Sequence, residues 1–344
     1  MKTPAFLSPG DVIAIAAPSF GCTIEPYISR FKEAVRLLEK RGYKIKAGSC
    51  VFKSDGLGIS SNPKDAAKEL VDFYLDPKVN AIISAGGGEL MCETMSYVDF
   101  EALKNSPPKM FMGYSDNTNF IFPLVTISKT MAVYGPCISG LGKPWEDAEN
   151  DTISLIEGKK FTFKGYPKFQ LPEDGTEAKE ANPLSPYILT QKKKLNLFSG
   201  KEAKESLEFS GILIGGCLDV LNNLAGTSFD CVKKFNDDYK KVIWVLEACD
   251  LSPMDIRRSL WHLRECGWFK SASAFIIGRP LAAWNANMMG VNHYNAVTDI
   301  IGEMNLPVIM DADVGHIAPT LPLLMGAEAE VKADCKNWKI SYKI

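Results

Sequence analysis

Short apolar runs alternate along this chain with stretches whose apolar residues recur every three or four positions. Residues 12–17, 79–84 and 110–113 are runs of four to six mostly apolar residues, the length of a buried strand rather than of a helix. Residues 43–47 read as a further strand. Between them, Phe31, Ala34, Val35 and Leu38 fall at i, i+3, i+4 and i+7, which gathers them on one helix face. Gly42 then supplies a C-terminal stop. Ala67, Leu70, Val71 and Tyr74 repeat the helical spacing, and residues 117–128 read as a helix despite Pro123. After residue 206 the alternation resumes, with strands expected at 211–216, 241–248, 274–278 and 308–311. Helices are expected near 218–225, 253–266 and 293–304. Strands alternating with helices predict an α/β fold with parallel sheets covered on both faces.

Residues 143–206 break this rhythm. They are rich in Lys, Glu, Pro and Gly, with scattered aromatics such as Phe161, Phe163, Tyr166 and Phe169. They read as a connection carrying an inserted lobe, because loops this long are commonly functional. The expected organisation is an N-terminal domain over 1–165, a linker and inserted lobe over 166–206, and a C-terminal domain over 207–344.

Composition narrows the picture. A chain of 344 residues, 46% hydrophobic, is long for a single core and suits two domains. A net charge of -2 calls for neither nucleic acid nor a membrane surface as partner. No run approaches the roughly 18 apolar residues of a membrane span. Residues 1–11 hold Pro4, Pro9 and Gly10 and no apolar stretch, so no secretory signal is expected. The nine cysteines form no Cys-x-x-Cys pair. They read as buried free thiols of a cytoplasmic protein, with no metal and no cofactor expected.

Chemistry concentrates in a few places. In Met112-Gly113-Tyr114-Ser115-Asp116-Asn117-Thr118 an apolar strand runs through Gly and Ser into a helix. That context presents a hydroxyl at the carboxyl end of a parallel strand, where such sheets place ligands. It is like a nucleophile elbow without the second glycine of Gly-x-Ser-x-Gly. The helix start offers the N–H of Asp116 to an oxyanion. On local pattern alone, Ser115 or Asp116 acting only as a helix cap is the better explanation. A serine nucleophile needs a base, and there are three histidines. His262 falls inside an expected helix and suits a structural role. His293 stands at a helix start and suits capping or exposure to solvent. His316 follows a buried strand on a loop, the best placement for a base. Glu247 ends the apolar run 242–246, where a carboxylate needs a partner. It can orient a histidine or pair with Arg257 or Arg258, and Asp250, Asp311 and Asp313 are rivals for the orienting role. Gly86-Gly87-Gly88 follows a strand and lets a substrate approach the backbone.

Taken in order, these segments resemble the LD-carboxypeptidase family of serine peptidases, which includes the microcin C self-immunity proteins. The resemblance covers nearly the whole chain. It rests on Leu7-Ser8-Pro9-Gly10-Asp11 with the strand ending in Ala-Pro-Ser, on Gly113 to Thr118, and on Gly135-Pro136. It rests further on Gly211 to Gly216 with Leu224 to Thr227, on Glu247, and on Gly315-His316 followed by Leu321-Pro322 and Gly326. The family implies a class I glutamine amidotransferase-like (Rossmann-like) N-terminal domain and a swivelling C-terminal β/α domain. It implies a triad spanning the cleft between them, and a homodimer. Carried over, Ser115 attacks an amide carbonyl, His316 moves the proton and Glu247 orients His316. The N–H of Asp116, with that of Gly87 or Gly88, holds the oxyanion. The implied partner is a small substrate: a murein tetrapeptide losing its terminal D-Ala, or an aminoacyl-adenylate analogue. Cys217, Ala66 and Gly88-Glu89 depart from the family's usual residues, which bears on substrate choice. A Rossmann nucleotide enzyme is the competing class, but no Gly-x-Gly-x-x-Gly opens the first βα turn. A two-domain binding protein without chemistry is the third reading.

Overall fold

Five short strands build a parallel sheet in the first part of the chain, four of them where the pattern predicts. In the computed structural model, which describes residues 1–174 and 180–344, they are Val12–Ala16, Lys44–Ala47, Ala81–Ser84, Met110–Gly113 and Ala132–Tyr134. Each pairs in parallel with its neighbour. The spatial order runs from Ala132–Tyr134 through Met110–Gly113, Ala81–Ser84 and Val12–Ala16 to Lys44–Ala47, with Leu323–Met325 added at the other edge. The order reverses between Val12–Ala16 and Ala81–Ser84, so a crevice opens at their carboxyl ends. The three central strands are buried almost throughout, which is why they read as continuous apolar runs.

The covering helices begin and end where local chemistry says they should. Tyr27–Lys40 buries Phe31, Ala34 and Leu38, and Gly42 beyond its C-cap sits at φ +98. Pro63–Leu75 starts on Asn62, whose side chain accepts the Asp65 N–H, with Pro63 in the first turn. Its Ala66 is buried against the core. Thr118–Thr126 follows a 3-10 turn over Ser115–Asn117, a split that the expected single helix over 117–128 lacks.

A nine-stranded mixed sheet dominates the second part. Its centre is four parallel strands, Ser206–Cys217, Val242–Glu247, Ala272–Gly278 and Pro307–Ala312. Antiparallel strands flank them: Asn196–Ser199 and Glu202–Ala203 on one side, Glu328–Asp334, Trp338–Lys343 and Thr162–Lys164 on the other. Trp244, Trp268, Phe269 and Phe275 pack its core. Pro253–Glu265 is the best-capped helix, with Ser252 and Asp255 in a reciprocal box.

Contacts divide the chain into two units. One comprises Met1–Lys160, Glu173–Tyr187 and Pro322–Leu324, and the other Phe161–Pro172, Ile188–Leu321 and Met325–Ile344. The irregular stretch is more structured than its composition suggests. It holds the buried helix Asp147–Ile156 and the strands Thr162–Lys164 and Asn196–Ser199. Residues 175–179 of the expected lobe lie outside the described residues. All nine cysteines are free thiols, but Cys266 and Cys335 are exposed rather than buried. Among the described residues no helix is long and apolar enough to cross a membrane, and no group of three or more His, Cys, Asp or Glu is placed to hold a metal.

Candidate active site

Ser115, Gly87, Gly88 and Asp116 all belong to the first unit, and Glu247 and His316 to the second. Ser115 follows the buried strand Met110–Gly113 and takes φ +63, a left-handed backbone that a serine rarely adopts. Three groups hold it there. Its N–H donates to the Tyr134 hydroxyl at 3.0 Å. The fully buried Asn117 donates to the carbonyls of Gly86 (2.9 Å) and Tyr114 (3.0 Å). Gly113 makes room for it, because a Cβ there would stand 2.7 Å from the Asn117 Cγ.

The glycine run is built to approach this turn. A Cβ on Gly87 would lie 3.3 Å from the Ser115 Oγ. Gly88 sits at φ +144, and a Cβ there would collide with the Ser19 Oγ at 2.2 Å. The Phe20 N–H donates to the Gly87 carbonyl at 2.9 Å, which joins the loops at the reversal of strand order. Asp116 is not an exposed cap. Its buried carboxylate accepts from the Ser19 hydroxyl, from the Met91 N–H at 3.0 Å and from the Asn119 amide at 2.8 Å. Burial pushes this carboxyl above its usual range, and those hydrogen bonds oppose the shift. Ser19, Asn117 and Tyr134 were not singled out by the sequence reading. Ser19 stood in the Ala-Pro-Ser element and Tyr134 just before Gly135-Pro136, so position at strand ends was the available signal.

In the second unit Glu247 ends a strand buried over its whole length. Its Oε2 lies 2.8 Å from the His316 Nδ1. Arg257 and Arg258, the alternative partners, pair instead with Asp299 and Asp255. Gly315 permits the contact, because at φ +102 a Cβ would stand 2.5 Å from the Glu247 Oε2. Burial pulls the His316 pKa down. The Glu247 charge and the hydrogen bonds the ring donates to Cys249 and Glu247 outweigh it, leaving the imidazole well above the ordinary 6.5. Cys217 pairs with Glu247 in strand register and donates to the Asp219 carboxylate at 3.3 Å. Burial raises its thiol well above the usual value.

The other histidines stand elsewhere. His262 meets the Asn222 side chain at 2.8 Å on the helix Pro253–Glu265. His293 is neither a cap nor exposed. Asn292 caps that helix, and the His293 ring is buried and stacked on Trp284 at 5.3 Å. Two of the three rival acids are committed too: Asp313 pairs with Arg279 and Lys193, and Asp311 accepts from Tyr294 and Asn196.

Known proteins resemble the chain over almost its whole length. A carboxypeptidase-named protein of Vibrio cholerae is 25% identical over 97% of this chain and 96% of its own length. The microcin C7 self-immunity protein MccF of Escherichia coli is 25% identical over 97% of this chain and 94% of its own. MccF solved in complex with aspartyl sulfamoyl adenosine matches with a TM-score of 0.80 at 22% identity, covering 99% and 98% of the two chains. A muramoyltetrapeptide carboxypeptidase from Oxalobacter formigenes matches with a TM-score of 0.72 at 20% identity, covering 97% and 99%. Residues 13–135 match the LD-carboxypeptidase N-terminal domain and residues 210–331 the LD-carboxypeptidase C-terminal domain, and the chain belongs to that family.

Proposed function

We propose that this protein is a serine hydrolase that cuts an amide bond, with Ser115 as nucleophile, His316 as general base and acid, and Glu247 as the group that orients His316. The observation that carries this reading is the buried Glu247–His316 pair. A carboxylate on Nδ1 fixes the imidazole so that its other nitrogen serves a hydroxyl, and it stabilises the imidazolium formed during attack. The left-handed Ser115, next to a glycine whose side chain would crowd its Oγ, supports the nucleophile role. The reaction then runs in two steps. Ser115 attacks the carbonyl while His316 takes its proton, and His316 returns that proton to the leaving amine. Water hydrolyses the acyl-enzyme by the same route. The N–H groups of Asp116 and of Gly87 or Gly88 face the oxyanion, each worth about 3 kcal/mol.

The substrate reading is a peptide with a terminal D-Ala after an L-centre, the linkage that the LD-carboxypeptidase family implies. An aminoacyl-nucleotide is the second reading, supported by the MccF relative and its complex with an aminoacyl sulfamoyl nucleoside. A homodimer in the cytoplasm completes the proposal. The test sets a murein tetrapeptide ending in L-Lys-D-Ala or meso-diaminopimelate-D-Ala beside an aminoacyl sulfamoyl-adenosine. Wild type and Ser115→Ala are assayed on each. Turnover by wild type alone is expected on one of the two. No turnover of either by wild type sinks the substrate reading, and equal turnover by the variant sinks the mechanism.

A further inference from the structure

The loop that carries His316 is held by buried charges that neither the triad nor the family match accounts for. Arg279 directly follows Gly278, and its side chain is 1% exposed. Its Nη1 donates to the Asp311 carbonyl at 2.9 Å and to the Asp313 Oδ1 at 3.0 Å, and its Nη2 reaches the Ile317 carbonyl at 3.5 Å. One guanidinium thus grips the chain before and after His316. A Cβ on Gly278 would stand 2.2 Å from the Val314 carbonyl, so the strand end lies directly against the same loop.

Asp313 is itself fully buried and saturated. Its Oδ2 takes the Lys193 ammonium at 2.9 Å, the Trp338 indole N–H at 3.2 Å and the Tyr166 N–H at 3.1 Å. Lys193 also donates to the Asn337 Oδ1 at 2.7 Å. It comes from the basic run Lys192-Lys193-Lys194 of the irregular segment, which composition alone makes look like a solvated stretch. Lys193 is the buried member, with 1% of its side chain exposed. Burial of this many charges weakens a fold unless every one is paired, so their arrangement around one loop calls for a reason other than stability.

We infer that Arg279, braced through Asp313 by Lys193, is a positioning residue for His316, so that part of the irregular segment belongs to the catalytic apparatus. The inference rests on the reading of His316 as the base. Glu247 sets the rotation of the ring, and the Arg279 clamp sets where the loop puts it. One planar fork holds two backbone carbonyls and one side-chain carboxylate of the loop, which a hydrophobic side chain of equal volume does not do.

Two readouts test it on the full chain. The first is the ring-nitrogen NMR spectrum, where three histidines give few signals and His316→Gln assigns the one of interest. The second is the rate at which a fluorophosphonate labels Ser115, which needs no knowledge of the substrate. In Arg279→Gln the labelling rate is expected to fall about 100-fold, the effect of a misplacement near 1 Å. The His316 Nδ1 signal shifts while those of His262 and His293 stay in place, and Arg279→Lys recovers part of both. A folded Arg279→Gln that labels at the wild-type rate with an unmoved His316 signal overturns the inference. If that variant does not fold, Lys193→Gln decides, because it keeps the Arg279–Asp313 contact and removes only the brace; a smaller change in the same two readouts is expected, and none overturns the inference. A His316→Gln protein that labels like wild type would instead defeat the reading of the base, and the ring spectrum of Arg279→Gln would still decide whether the clamp positions the loop.

Discussion

The turn that carries Ser115 and the loop that carries His316 both sit at the carboxyl ends of parallel strands, yet different forces hold them. The serine turn depends mainly on a strained backbone, on glycines at 87, 88 and 113, and on hydrogen bonds from Asn117 and to Tyr134, with one buried carboxylate, Asp116, tying it to Ser19, Met91 and Asn119. The histidine loop depends on charge: Glu247 on the ring, and Arg279, Asp313 and Lys193 around the backbone. A hydroxyl needs only to be presented, and backbone geometry does that at any pH. A base must also be tuned, and nearby charges do so at the cost of pH dependence. The comparison therefore predicts that substitutions in the turn act on presentation and those in the loop act on titration.

The largest effect is expected for Ser115→Ala, which removes the proposed attacking atom. Turnover of whichever amide the wild type cuts should fall about 10⁴-fold or more, while the His316 ring signals stay unchanged. Glu247→Gln comes next, with a fall of about 10⁴-fold at neutral pH from loss of ring orientation. It carries a signature that the serine variant lacks. On the proposed mechanism only deprotonated His316 accepts the Ser115 proton, so kcat/KM of wild type should rise with pH through a midpoint above 6.5 and be lost in acid. Removing the carboxylate takes away the main raising influence and leaves burial, so the midpoint of the residual activity moves down. Stability follows the same group in the opposite sense. A raised histidine pKa stabilises the fold fully below the unfolded value and loses that contribution as pH rises through the folded value. The advantage of wild type over Glu247→Gln in urea denaturation should therefore be greatest in acid and shrink in base. An unmoved midpoint would mean that the carboxylate does not tune the ring.

Asn117→Ala should act on the turn alone. It removes two hydrogen bonds, to the Gly86 and Tyr114 carbonyls, which costs about 1–3 kcal/mol in urea denaturation, and it should leave the pH midpoint of kcat/KM where it was. A shifted midpoint would blur the division between the two regions. The smallest effect is expected at Lys332→Ala, which breaks an exposed pair with Glu208. Neither turnover nor the urea midpoint should change, because exposed pairs contribute little.

Most of this was legible in the chain before any coordinates. The parallel strands announced themselves because burial on both faces demands unbroken apolar runs, and Met110–Gly113 has the expected limits. The helix faces built on Phe31 and Leu70 were equally plain, since both residues are buried. Less was seen in the half-exposed strands. Glu328–Asp334 and Trp338–Lys343 alternate buried and exposed residues, a period-two signal that was present but weaker than a solid run. The site divides in the same way. Ser115, Glu247 and His316 stand where the chain crosses from strand to loop, a position that sequence reveals. Arg279, Asp313 and Lys193 meet only through long-range folding, and a buried lysine within a basic run leaves no trace in local pattern. His293 misled for the opposite reason: its place at a helix start said nothing of the Trp284 ring that covers it.

One edge of the first unit's sheet has a consequence for how the protein is made. Five of its six strands are complete once Tyr134 has been synthesised, but the sixth, Leu323–Met325, arrives only near the end of the chain. At ordinary translation rates Ala132–Tyr134 waits on the order of ten to forty seconds for that neighbour. During that interval the nascent chain shows an open, apolar strand edge, the feature that recruits unwanted partners. The sheet that carries Ser115 is thus laid down early and sealed late, after the parallel strands of the second unit have been made.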